Sequence, residues 1–331
     1  MPTDLSALYT LDKLLFDVPL LPVQGHRFQP TGFPDLGAAT FETETGTCLT
    51  VESAQSMANR LEATCWDEGK EALLADFVGL SYVRVNDKTG AFLTSSLLEA
   101  HRINSVYIEN ADKGEFHKML GTEIGFAKDR PINRANLARA LFKFDIGSLL
   151  HGVFLESIDG RLRVARAISS FIEAEGVRVA ASGGVKNDHV KPGTETKGGT
   201  EKESIEERAT KKTAKEGYGN VPFHRDEFTA RTITLFANID LAQIHGYGLA
   251  DEQVRLLTLL SLFKLRALLD GKLRLRTACD FRIATDSVMA TNAAFVLPTR
   301  QDLLGEVKAA ITPCETQFAK NKGVTTVTYA G

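Results

Sequence analysis

The stretch GNVPFHRDEFTAR, residues 219–231, sets a histidine, an arginine and two acids side by side. His224, Arg225, Asp226 and Glu227 carry the groups for acid–base or metal chemistry, and equally for a basic clamp with its balancing charge. A metal would draw on His224, Asp226 and Glu227, or on His101, His151 and His245. No H-E-x-x-H, H-x-H or paired-carboxylate spacing links either set. Asp35 in GFPDLG has the chemistry of a nuclease carboxylate but no visible partner, which suits a turn aspartate. No G-x-S-x-G marks a serine nucleophile. The residues predict neither a metal nor a cofactor.

Two further stretches suit anion binding. ASGGVKND, residues 181–188, follows a strand-like run with two glycines, Lys186 and Asn187, and reads either as an anion nest or as a tight turn beside a surface lysine. In KLRLR, residues 272–276, Lys272, Arg274 and Arg276 alternate with leucines, and Phe236 stands on the polar side of another strand-like run. Cations that follow phosphates and aromatics that stack on bases hold single-stranded nucleic acid. A solvated strand face has the same pattern.

The elements that must position these groups follow from hydrophobic spacing. The first forty residues, rich in Pro and Gly, read as an extended lead-in. AATFETETGTCLTVE predicts a hairpin turning at Glu-Thr-Gly, and FVGLSYVRVNDKTGAFLTSSL a second one turning at Asn-Asp-Lys-Thr-Gly. SAQSMANRLEA predicts a helix capped by its serine, with Met57 and Leu61 inward and Gln55, Asn59 and Arg60 on another side. RANLARALFKF predicts a helix burying Leu137, Leu141 and Phe144, GSLLHGVFLE a buried strand, and residues 161–175 a helix ended by Gly176. Residues 191–217 contain no aromatic and one large aliphatic side chain, so they are expected to form a mobile insertion. Downstream, TARTITLFANIDL alternates as a strand with one wet face, EQVRLLTLLSLFKLRALLD is a deeply packed helix, and KLRLRTACDF is read as one further strand. Strand–helix–strand units with one free sheet face favour an α+β, ferredoxin-like sandwich over a doubly wound sheet.

Composition sets the class. With 43% apolar and 24% charged residues, the 331-residue chain resembles an ordinary globular protein of one large or two smaller domains. The net charge of −3 is not that of a generic nucleic-acid binder, but it is unevenly spread. Residues 262–282 hold six Lys/Arg against two acids, and residues 1–50 two against six. No apolar run approaches the roughly 20 residues of a membrane span. Acids near the N-terminus argue against a signal peptide, so the expectation is cytoplasmic, with no membrane partner. Cys48, Cys65, Cys279 and Cys314 are far apart and read as reduced thiols.

Several stretches in series resemble one family. VESAQSMANRLE (51–62), HRINSVYI (101–108), GSLLHGVFLE (147–156), SGGVKNDHV (182–190), GYGNVPFHRDEFTA (217–230), DLAQIHGYGL (240–249) and LRLRTACD (273–280) are similar to the backbone subunit of the type I-G (formerly I-U) CRISPR effector, the Csb branch of the seven-type RAMP proteins. The resemblance covers most of the chain and leaves out 191–217 and both extreme termini. It implies one RAMP-type domain over 1–331, with an RNA-recognition-type (RRM-like) core bearing finger and thumb insertions. The first part of the core would occupy 37–190, the strand–helix–strand second part 218–290, and a C-terminal extension 291–331.

The resemblance also implies a job. Copies of such a subunit stack head to tail along a CRISPR RNA and present its bases to invading DNA. Their partners are the guide, the target DNA strand, further copies, and the large and guide-end RAMP subunits. By motif, the RNA contacts would be Gln55, Asn59 and Arg60, then His101, Arg102, Asn104 and Ser105, then Lys186, Asn187 and His189, and finally His224 and Arg225. Lys272, Arg274, Arg276 and Phe236 would join them. These groups can bond phosphate or ribose without reading a base, as a sequence-indifferent guide holder requires. Asp226 and Glu227 would be local charge balance, and no intrinsic catalysis is expected. The alternatives are a metal-dependent nuclease using Asp35, His224 and Asp226, a guide-processing ribonuclease with His101 or His224 as base, and a protein scaffold that binds no nucleic acid.

Overall fold

The structure, a computed structural model, describes residues 5–33, 35–186, 221–271 and 273–331. In chain order the principal elements begin with β1 (Lys13–Pro22), β2 (Thr40–Thr43), β3 (Gly46–Glu52), α1 (Ala54–Glu62), β4 (Tyr82–Asp87) and β5 (Phe92–Ser95). Next come α2 (Glu115–Ile124), α3 (Arg134–Phe144), α4 (Ile146–His151), β6 (Ile168–Glu175), β7 (Arg178–Lys186), β8 (Val221–Thr229) and β9 (Thr232–Asp240). The chain closes with α5 (Leu241–His245), α6 (Asp251–Leu269), β10 (Arg274–Arg276), β11 (Cys279–Ile283), α7 (Arg300–Ile311) and β12 (Val324–Tyr329).

Seven strands form one antiparallel sheet in the order β10–β11–β1–β9–β6–β3–β2. Period-two alternation gives it a core face: Leu14, Phe16, Val18 and Leu20 of β1 are buried, as are Ile233, Leu235, Ala237 and Ile239 of β9. Helix α1 packs on this sheet against β6, and α6 packs against α1. Ser53 caps α1 by accepting from the Ser56 amide, and Met57 and Leu61 point into the core. Apolar on most sides, α6 is buried along nearly its whole length. The architecture is therefore mixed α+β on an antiparallel sheet. All four cysteines are buried and unpaired.

Of the smaller sheets among the described residues, two matter here. The β4–β5 hairpin is joined by the C-terminal β12, which runs parallel to β4. Strands β7 and β8 form a two-stranded ribbon from the pairing Arg178 with Thr229 to the pairing Lys186 with Val221.

Several expectations are corrected. Residues 13–22, inside the stretch read as a lead-in, are a central strand of the main sheet; Pro19 and Pro22 disguised a clean alternation. Residues 146–151 are helical, and only Val153–Phe154 of that run is extended. A short run buried on all sides carries no period to separate the two. Residues 161–175 are not a helix: Ile168, Ser170, Ile172 and Ala174 alternate as β6, and Gly176, at φ +60°, lies where the chain leaves the main sheet for β7. The spacing of Ile168 and Ile172 fits both periods, so it could mislead. The predicted single strand 272–281 is the β10–β11 hairpin. Finally, Gly183 and Gly184 continue the β7 ladder opposite His224 and Phe223, forming neither a nest nor a tight turn. The expected mobile insertion, 191–217, lies outside the described residues.

Candidate nucleic-acid interface

Strand alternation divides the HRDE stretch. On β8, Arg225 and Glu227 share one side and form an ion pair, Glu227 being nearly fully buried. His224 and Asp226 project to the other side, both exposed, with His224 Nε2 3.9 Å from Asp226 Oδ1. Consecutive strand residues cannot converge on one point, so the four side chains make no compact catalytic cluster. Among the described residues no group of three His, Cys, Asp or Glu could hold a metal ion. Asp35 adopts φ 64°, the left-handed conformation that aspartate tolerates in turns.

Arg225 instead belongs to a chain of arginines built around two buried glutamates. Glu227 receives Arg225 from its own strand and Arg27, at 3.3 Å, from the segment after β1. Glu52, at the end of β3 and just before the α1 cap, receives Arg276 at 2.6 Å and Arg60 at 3.4 Å. Gln29 joins the two nodes: its side-chain carbonyl accepts from Arg225, and its backbone carbonyl accepts from Arg276 at 3.1 Å. Phe28 pairs with Phe228 and the Gln29 amide donates to Ala278, which fixes the segment between the ribbon and the β10–β11 hairpin. Arg60 also donates to the Leu275 carbonyl at 2.8 Å, tying α1 to β10.

One carboxylate between two guanidiniums leaves each node one positive charge in excess. Desolvating Glu52 and Glu227 is offset by two cations apiece, while the arginines keep part of their surface in water. The planar guanidinium forks are thereby held in place before any ligand arrives. Arg274 is exposed beside them, and Gln55 and Asn59 are exposed on the helix that carries Arg60. The node arginines make a cationic rim held in place by its glutamates, suited to phosphate and ribose oxygens.

A second basic region lies at a cavity of about 560 Å³, where His101 and Asn104 meet His151 and Arg166. Its back wall is a buried ion pair, Arg102 to Glu62, made twice at 2.9 and 2.6 Å. Burial pushes the Glu62 carboxyl up to about 7 against the pull of Arg102 and Lys264. Burial likewise raises Asp145 to about 6, although it accepts from Ser148 at 2.6 Å.

The family comparison supplies the decisive observation. Residues 14–179, half of the chain, match the model of the family described as CRISPR-associated protein GSU0053 (Cas_GSU0053). The chain belongs to this CRISPR-associated family. No curated protein matches it. It is also similar to a solved chain described as "CRISPR RNA-guided surveillance complex, pre-nicking", at 14% identity and TM-score 0.37, covering 84% of this chain and 76% of that one. A second similar structure is Csc2 of Thermofilum pendens, at 11% identity and TM-score 0.30, covering 96% and 80%.

Set on this CRISPR-associated chain, the sequence-predicted contacts fall into separate places. Arg60, Arg225 and Arg276 come together along the rim, with His224 on the far side of the same strand as Arg225; Arg274 is exposed on β10, and Gln55 and Asn59 are exposed on α1, on another side of the helix from Arg60. His101 and Asn104 line the second cavity, Asn104 also accepting from Ser157 at 2.8 Å. Arg102 and Ser105 are buried and committed inward: Arg102 to Glu62, Ser105 donating to Glu99 at 2.7 Å. Neither presents its polar group to solvent as a surface contact would. Phe236 lies on the open sheet face, stacked on Phe171 at 5.2 Å, with Asp17 opposite it on β1. His245 stacks on Tyr9 instead of joining His101 and His151. The Lys186 side chain, Asn187, His189 and Lys272 lie outside the described residues. Sequence reasoning missed Arg27, Gln29 and Glu52, whose partners are remote in the chain.

Proposed function

We propose that this chain is a non-catalytic backbone subunit that polymerises along CRISPR RNA in a type I effector and holds the guide for pairing with invading DNA. The motifs in series point to the Csb branch and the type I-G complex, with the large subunit and a guide-end RAMP subunit as neighbours in the cytoplasm. Membership of a CRISPR-associated family supports the setting. Taking the four strands β1, β6, β9 and β11 in chain order, their arrangement in the sheet is 4-1-3-2, which supports a ferredoxin-like, RNA-recognition-type core with the β7–β8 ribbon as an insertion.

The observation that carries the reading is the pair of arginine–glutamate–arginine nodes joined through Gln29. A chain of fixed, partly exposed guanidiniums matches the regular negative charge of a sugar–phosphate backbone and carries no base-reading geometry. Co-expressing the protein with a CRISPR array and sequencing whatever nucleic acid co-purifies tests it. Guide-length RNA of repeat–spacer composition is expected; protein free of nucleic acid, or carrying heterogeneous DNA, contradicts it. Incubation with RNA or DNA and a divalent metal should give no cleavage, and cutting abolished by Asp35→Ala would refute the non-catalytic role.

A further inference from the structure

His151 is 1% exposed and lines the cavity beside Arg166, yet neither of its ring nitrogens has a hydrogen-bond partner. A buried imidazole with both nitrogens bare is uncommon and marks a group awaiting a ligand or water. Burial, with Lys264 and Arg102 nearby, holds its pKa well below the ordinary imidazole range, so the ring is neutral: one nitrogen donates and the other accepts. The surrounding charge is cationic. Arg102 is neutralised by Glu62, which leaves Arg163 and Arg166 against Glu156. Arg163 lies over the Phe154 ring, 4.1 Å from its centroid. Arg166 is partly desolvated beside the Arg102–Glu62 pair, and that desolvation favours an incoming anion.

A phosphodiester alone answers the arginines and the donating nitrogen, but has no O–H to offer the accepting one. A ribose 2′-hydroxyl supplies a donor and sits close to phosphate in RNA. Resting on the guide-holding reading, we propose that this cavity receives one phosphate–ribose unit of an RNA strand, with Arg163 and Arg166 taking the phosphate and His151 the 2′-hydroxyl. The cavity is thus a ribose-discriminating subsite apart from the sequence- and sugar-indifferent rim.

Equilibrium binding of the full chain to an oligoribonucleotide and to the DNA of the same sequence tests this. Wild type should prefer RNA. Arg166→Gln should weaken both by about tenfold, the loss of one hydrogen bond to a charged group. His151→Leu removes an unpaired polar atom set from the interior, so thermal stability should hold or rise while RNA affinity falls and DNA affinity stays. An unchanged RNA-to-DNA ratio in folded His151→Leu, or unchanged RNA binding in Arg166→Gln, overturns the proposal. AMP bound in an Arg166-dependent way, with RNA binding untouched by either substitution, would place a free nucleotide there and overturn it too. Rim variants that lose RNA while these two retain it sink the cavity alone; a wild type that binds no RNA sinks the guide-holding reading as well.

Discussion

Arg60 and Arg276, which are far apart in the chain, meet on one oxygen: Oε2 of Glu52 lies 3.4 Å from the first and 2.6 Å from the second. The same carboxylate therefore fixes α1 against β10 and sets the spacing of two cations on the rim. Structure and charge presentation depend on a single buried glutamate.

Glu52→Gln should expose that dependence. The neutral amide cannot compensate both guanidiniums, and a loss of about 2 kcal/mol in unfolding free energy is expected from breaking a largely buried pair. Urea denaturation of the two proteins checks it. A change below a few tenths of a kcal/mol would show the node to be solvated and loose.

Substituting one arginine of a node should spare the fold. Arg276→Gln leaves Glu52 paired with Arg60, and Arg27→Gln leaves Glu227 paired with Arg225. Each should keep its melting temperature within a few degrees while the dependence of log K for single-stranded RNA on log salt becomes shallower by about 0.7. Parallel loss across unrelated sequences is expected; loss confined to one sequence would indicate base reading.

Asp145 should leave a pH signature. Its carboxyl titrates at about 6 when folded against 3.8 ordinarily, so the folded state binds its proton more tightly than the unfolded chain does. The group's stabilising contribution is full below 3.8 and is lost as pH rises through about 6. Asp145→Asn should remove that component, and chemical denaturation at several pH values should show a flatter profile over this window than wild type. Identical slopes would mean the carboxyl is ionised throughout.

Ser53→Ala deletes the bond to the Ser56 amide and should cost about 1 kcal/mol. Because α1 carries Arg60, RNA affinity should fall with it more than for a comparable loss of cap elsewhere, such as Thr299→Ala on α7. Equal effects on binding would uncouple α1 from the rim.

Local rules were readable in the sequence. The Ser53 cap, the hairpin at Asn86 to Gly90 and the alternation of β9 depend on neighbours a few residues apart. What escaped depended on distant partners or shared periods. Pro19 hid β1, Ile168 and Ile172 fitted helix and strand alike, and a buried run around Leu149 had no period to read. The candidate rim was half legible: Arg60, Arg225 and Arg276 stood out by charge and setting. Their glutamates did not, because a lone acid says nothing of which arginine will fold onto it. Arg102 shows the reverse failure, a surface-type residue whose partner Glu62 drew it inside.

The most direct test of a fixed cationic rim is the affinity of the full chain for single-stranded RNA across a salt series, compared with the double variant Arg27→Gln, Arg276→Gln, in which each buried glutamate keeps one partner. Strong, salt-sensitive binding by wild type, with affinity and salt slope both reduced in the variant for every sequence tried, is the predicted result. Equal affinities and equal slopes in the two proteins would contradict it.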